Sequence, residues 1–287
     1  METYTLTFGN RAENHKGMQI IGKKMDHGLS HDDLLKIQKF FDDAGCVTEL
    51  INLNSLLYDD DAEKEESDDS ENVRTEDTED STEENTEDSG DAEDSKTEDN
   101  EDPAELLVIK NGINELINSD DLFEEQKNLE KDTQAFMYGR VVNKKARYNL
   151  CFSDFSQDAD YANKKGTVYN FKDVKLLRRL RDKLGQIHPS LKKLQCEGNY
   201  YYDVSKTFIG FHGDSEREIV VGCRLGADFP LYFQWYYKGE TEGRLYKIVL
   251  SHGDIYFMSD KAVGRDWKSS SIYTLRHAAG LEKNVGL

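Results

Sequence analysis

The spacing of apolar positions divides the chain into three stretches. In the first, residues 1–58, TYTLTF alternates between apolar and polar positions and GMQII is a short apolar run, and both predict strands. HDDLLKIQKFFDDAG then places Leu34, Leu35, Ile37, Phe40 and Phe41 at helical spacing, with Ser30 placed to cap its start and Gly45 to end it. VTELINL resumes as a strand, so a small α/β layer accounts for the whole stretch.

The last stretch begins at AELLVIKNGINELI, which completes that layer, followed by a helix from Asp121 to about Phe136. Strand and turn signals dominate from Met137 onward. RYNLCF is a strand, DVKLLRRLRDKLG a helix, and KTFIGFHG, EIVVGCRL, PLYFQWYY, LYKIVLS, DIYFMS and IYTLRHAA are six short strands split by Gly, Asp and Pro. This succession predicts an antiparallel double-sheet jelly roll (double-stranded β-helix), with ETEG as the hairpin turn between PLYFQWYY and LYKIVLS. The expected fold is α+β: a jelly-roll domain over 137–287, preceded by a small α/β region made of 1–58 and 103–136.

Between these stretches lie residues 59–102, with 24 Asp/Glu against three Lys/Arg. One Val is the only large apolar side chain there, so nothing offsets the entropy of ordering it and a disordered acidic insert is expected. An expanded loop is the preferred reading over a charged tail that competes with nucleic acid or recruits a basic partner. The tract also changes how the charge is read. The formal net charge is -20, yet without the tract the other residues sum to +1, and from Met137 onward there are 25 basic and 17 acidic residues. That part of the chain is suited to approach a polyanion.

At 287 residues the chain has room for one large domain or a core with a smaller partner. Four scattered cysteines without a C-x-x-C pair predict free thiols in a reducing compartment. METYTLTFGN has no signal-peptide pattern and no apolar run reaches bilayer length, so an intracellular protein, cytoplasmic or nuclear and not membrane-bound, is expected.

Three of the seven histidines begin an H-x-D. His31 and Asp33 follow a Ser cap, where acidic residues suit the helix dipole. His252-Gly253-Asp254 lies between two strands and reads as a turn. His212-Gly213-Asp214 ends a strand with His212 and Asp214 on one face, and several strands separate it from His277, whose neighbours Ala278 and Ala279 leave space around the imidazole. Two histidines and a carboxylate form the facial triad of non-haem Fe(II) sites. Spacing alone leaves two satisfied core histidines as an equal alternative.

The ordered set Asn199-Tyr200-Tyr201, His212-Gly213-Asp214, IVVGCRLGADFPLYFQW, Gly253-Asp254 and His277 resembles the AlkB-like 2-oxoglutarate/Fe(II) dioxygenases, over roughly residues 135–280. The resemblance implies iron held by His212, Asp214 and His277, with Asn199 and Tyr201 contacting the cosubstrate 2-oxoglutarate, and dioxygen as oxidant. The family places an arginine clamp after the distal His, and here no arginine follows His277. Arg147 opens RYNLCF, which resembles the family's clamp-bearing R-Y-N-L-T-F stretch but precedes H-x-D, as in a permuted arrangement. Arg224 and Arg276 are the other candidates, Arg276 disfavoured because it points away from the side that His277 faces.

By this resemblance the protein hydroxylates or oxidatively demethylates its substrate, with alkylated nucleobases in DNA or RNA first in line. The same chemistry on a protein side chain is the alternative. A non-catalytic jelly-roll interaction protein with an acidic tract is a second one. A monomer is expected.

Overall fold

TYTLTF uses both of its faces. In the computed structural model, which describes residues 1–58 and 103–287, it forms β1 (Thr3–Gly9), buried along its whole length. A short hairpin, β2 (Arg11–Glu13) and β3 (Ile20–Gly22), follows. Next comes α1 (His31–Asp43), closed at its start by a reciprocal capping box between Ser30 and Asp33. β4 (Val47–Asn52) leads toward the acidic tract, and the disorder expected of residues 59–102 lies outside the described residues.

The chain resumes with β5 (Glu105–Lys110), α2 (Gly112–Leu116) and α3 (Ser119–Lys127). The helix expected to run to Phe136 ends at Lys127, because Lys131 Nζ binds the Gln126 and Lys127 carbonyls and TQAFM pairs elsewhere. It becomes β6 (Gln134–Met137) of a hairpin with β7 (Arg140–Asn143), turned at Tyr138 and Gly139 with φ of 52° and 74°. After β8 (Tyr148–Ser153), β9 (Val168–Asn170) and α4 (Lys175–Ile187) come β10 (Gln195–Tyr201), β11 (Ile209–His212), β12 (Val220–Gly226) and β13 (Phe229–Tyr237). The last elements are β14 (Glu240–Leu250), β15 (Ile255–Met258), α5 (Asp260–Val263), β16 (Thr274–Ala279) and α6 (Glu282–Val285). ETEG is not the turn but the start of β14; Lys238 and Gly239, with φ of 52° and 90°, make the turn two residues earlier.

The fold is α+β and mostly antiparallel. An eight-stranded sheet runs β4-β5-β15-β12-β1-β10-β8-β9, mixed only through the parallel β8–β9 pair, and a four-stranded sheet runs β11-β16-β13-β14. One face of the large sheet presents Leu6, Phe8, Phe152 and Val221 to helices α1 and α4, whose Leu34, Phe41, Leu177, Leu180 and Leu184 fill that core. Its other face meets the small sheet, with Tyr201, Val220 and Met258 packed with Leu231, Phe233, Trp235 and Leu275. The expected separate N-terminal layer is therefore absent: β1 lies between β10 and β12, and β4 and β5 continue the same sheet. A strand alternating Thr with Tyr, Leu and Phe suits a central place with a helical layer on one side and a polar cavity on the other. Among the described residues, no helix is long and apolar enough to cross a membrane.

Candidate metal centre and its cavity

β11 and β16 pair antiparallel with His212 directly opposite His277. Gly213 then carries the chain against Gly264, so close that a Cβ would lie 1.9 Å from the Gly264 carbonyl oxygen, and the Asp214 N–H donates to the Val263 carbonyl at 3.0 Å. Asp214 is thereby turned back beneath the two imidazoles. Ligand-type atoms of His212, Asp214 and His277 lie within 4.8 Å of one another, with Asp214 oxygens 3.6 Å from His212 Nε2 and 3.9 Å from His277 Nε2.

The surroundings set the hydrogen bonding and charge of these groups. His212 Nδ1 donates to the Gly210 carbonyl at 2.8 Å, which leaves the Nε2 lone pair facing Asp214. His277 is buried, its Nδ1 has no partner among the described residues, and burial together with His212 pulls its pKa to about 3, so the ring is neutral. Burial pushes the Asp214 carboxyl up, but Arg217 and the two histidines outweigh it and hold the group below the usual carboxylate range. Arg217 is the hub of this ion network: Nη2 lies 2.6 Å from Glu197 and 2.6 Å from Glu216, and Nε 3.8 Å from Asp214. Two imidazoles, that of His277 with an orphaned ring nitrogen, and one carboxylate match the donor set of a non-haem iron site.

The cluster opens into a cavity of about 650 Å³ between the two sheets, within the ~300–1,000 Å³ range of small-molecule sites. Its floor is a row across four strands, in which Arg224 pairs with Thr5, Thr5 with Asn199, and Asn199 with Asn149. Arg224 is fully buried. Its Nη1 donates to Thr5 Oγ1 at 2.6 Å, its Nε has no partner, and no carboxylate among the described residues is within ion-pair distance. Tyr201 is buried beside it, and the Arg147 and Arg224 guanidiniums both act on the Tyr201 phenol. Arg147 Nε and Asn149 Nδ2 both donate to Asn199 Oδ1, at 2.7 and 2.5 Å, so the Asn199 amide nitrogen is turned toward the cavity.

The structure thus brings Asn199, Tyr201, Arg147 and Arg224 into one cavity with His212, Asp214 and His277. Arg276 lies elsewhere, stacked on Tyr236 with its guanidinium carbon 3.9 Å from the ring centroid. The other two H-x-D pairs have local work. His31 Nδ1 contacts Glu105 at 2.9 Å while Asp33 caps α1. His252 accepts the Gly226 N–H, and Asp254 accepts from the Asn111 and Ser251 amides and from Lys110. That HGD is a turn, although it crosses from β14 in the small sheet to β15 in the large one and closes no hairpin. Sequence reasoning missed Thr5, Glu13, Arg217, Tyr256 and Trp267 as cavity residues. Only Thr5 had a signal, the alternation of TYTLTF, which already put Thr3, Thr5 and Thr7 on one face.

No family model matches the chain. It is 45% identical over 284 residues to "Uncharacterized protein R156" of Acanthamoeba polyphaga mimivirus, covering 99% of this chain and 98% of that relative.

Proposed function

The chain belongs to one family with that mimivirus protein, and from its cavity we propose that it is an AlkB-like, 2-oxoglutarate- and Fe(II)-dependent dioxygenase. The observation that carries the reading is Arg224, a fully buried guanidinium with no carboxylate partner among the described residues, in the same cavity as a two-histidine, one-carboxylate cluster. Burying a cation without an anion is costly, and a dicarboxylate cosubstrate supplies the missing charge.

His212, Asp214 and His277 would hold the iron. When bound, iron with 2-oxoglutarate and dioxygen supplies the oxidation of a substrate C–H bond, leaving succinate and carbon dioxide. Arg224, Arg147 and the Tyr201 hydroxyl, which line the same cavity, would hold the far carboxylate of 2-oxoglutarate. Asn199 would offer its amide nitrogen to the cosubstrate, because Arg147 and Asn149 occupy its oxygen. Arg217 keeps Asp214 ionised.

The two facing sheets are the halves of a jelly roll in this reading. β8 precedes H-x-D in the chain yet lies beside β10, as a permuted clamp strand requires. Arg147 therefore shares the clamp with Arg224. The substrate class is an N-alkylated nucleobase in DNA or RNA; hydroxylation of the alkyl carbon releases it as an aldehyde and leaves N–H on the base. A protein side chain is the alternative substrate. Free buried thiols at Cys151, Cys196 and Cys223 support an intracellular location.

Anaerobic titration with Fe(II) and 2-oxoglutarate tests the site: a visible charge-transfer band is expected in the wild type and not in His212→Ala. Oxygen-dependent succinate release with methylated oligonucleotides, set against methylated peptides, then separates the substrates. A wild type with neither band nor succinate would sink the reading.

A further inference from the structure

Gly222 lies in the middle of β12, inside the large sheet, where a glycine weakens the strand and marks a close approach. The group that approaches is Tyr256, which sits directly opposite on β15. A Cβ at Gly222 would lie 1.9 Å from Tyr256 Cζ and 2.3 Å from its hydroxyl oxygen. The tyrosine therefore lies across β12 instead of standing over its own strand, and its phenol end rests on the Gly222 backbone. Arg224 is two residues further along β12 and projects from the same face, about 7 Å on by the rise of a strand. Tyr256 and Arg224 both line the cavity.

Both side chains are buried and both keep donors in reserve. Tyr256 is 5% exposed, and its hydroxyl has no hydrogen-bond partner among the described residues. Arg224 uses Nη1 on Thr5, and its buried Nε has no partner. Of the ionisable groups around them, Arg224 acts most strongly on the Tyr256 phenol, and Tyr256 most strongly on the Arg224 guanidinium. Burial outweighs the pull of Arg224 and pushes the phenol above its ordinary value, so the hydroxyl keeps its proton and can donate it. A carboxylate has two oxygens and about four lone-pair sites, enough for a guanidinium and a phenol together. We infer that Tyr256 is a cosubstrate-binding residue whose O–H donates to the same far carboxylate that Arg224 holds, and that Gly222 is the positioning residue that gives its ring a place. The inference rests on the proposed oxygenase site and makes this phenol one of the groups that select a 2-oxo acid with a second carboxylate.

Calorimetric titration of the Mn(II)-loaded full chain with 2-oxoglutarate tests it. Tyr256→Phe removes a single oxygen and should weaken 2-oxoglutarate roughly tenfold or more, as loss of a hydrogen bond to a charged group does. Its Mn(II) affinity and urea midpoint should stay at the wild-type values, because the hydroxyl makes no hydrogen bond among the described residues. 2-Oxopentanoate, which lacks the second carboxylate, should bind wild type and Tyr256→Phe alike. Gly222→Ala should weaken 2-oxoglutarate at least as much, and adding Tyr256→Phe to it should change nothing further. Unchanged 2-oxoglutarate affinity in Tyr256→Phe overturns the inference, and so does an equal loss for 2-oxopentanoate. A wild type that takes up Mn(II) but no 2-oxoglutarate sinks the oxygenase reading and this one with it. A wild type that binds 2-oxoglutarate no better than Tyr256→Phe does sinks this one alone.

Discussion

His212 and His277 face each other across the β11–β16 pair with their ring centroids 4.5 Å apart, and Asp214 closes the gap beneath them. Two strands and a tight glycine turn hold three donors in place before any cation arrives. Metal binding at the proposed site would therefore need no further ordering of its ligands.

A soluble divalent surrogate such as Mn(II) or Co(II) should accordingly stabilise the protein, by about 2.7 kcal/mol at a hundredfold excess over Kd. Thermal unfolding with and without metal measures it. His277→Ala should abolish the shift. Gly213→Ala should too, because its Cβ would meet the Gly264 carbonyl at 1.9 Å and displace Asp214. Gly253→Ala, in the other HGD, should cost more than about 1 kcal/mol, for its left-handed φ of 92° and a Cβ 2.6 Å from Asn111 Oδ1, and keep the metal shift. A metal shift that survives His277→Ala would rule out the site.

Arg224 separates stability from function. Its buried charge has no ion-pair partner among the described residues, so Arg224→Met should leave the free protein as stable as wild type or more so. The same change should weaken 2-oxoglutarate by at least about 100-fold, near 3 kcal/mol, as loss of a buried charge partner does. Calorimetric titration beside urea unfolding reads both. Unchanged 2-oxoglutarate affinity would reject Arg224 as the clamp.

Glu13 sets a pH dependence. Burial pushes its carboxyl from an ordinary 4.5 to about 7, with Glu216 and Glu197 adding to the rise. The folded protein thus holds a proton there that the unfolded chain has lost between these values. Stability from this group is full below pH 4.5 and is lost as pH rises through 7. Glu13→Gln mimics the protonated form, so its urea midpoint should gain on wild type between pH 5 and pH 8. Equal differences at both pH values would contradict this.

Asp132 anchors the loops beside the cavity. Its buried carboxylate accepts from Asn14 at 2.7 Å, Tyr161 at 2.8 Å, and the Thr167 amide and hydroxyl at 2.8 and 2.6 Å. Asp132→Ala leaves those donors unpaired and should cost ~3 kcal/mol or more in urea unfolding. A loss under ~0.5 kcal/mol, the size of a surface change, would show that the network carries little.

Local periodicity determined much of this protein from sequence alone. Alternation over a few residues put Thr3, Thr5 and Thr7 on one face, and Ser30 marked the start of α1; it paired His212 with Asp214 too, although the strand ends at His212 and the Gly213 turn places Asp214. It also separated the two HGD tripeptides, since one follows a strand face toward a distal His277 and the other interrupts two strands. Strand neighbours were a different matter. Thr5 and Arg224 are 219 residues apart and touch because β1 inserts between β10 and β12, a choice made by which faces bury together and invisible to any short window. Only the tertiary structure, for the same reason, showed that Arg147, Arg224 and Tyr201 line one cavity and that Arg224 is buried with no ion-pair partner among the described residues. Charge environment is a property of the packed interior, and residue order does not contain it.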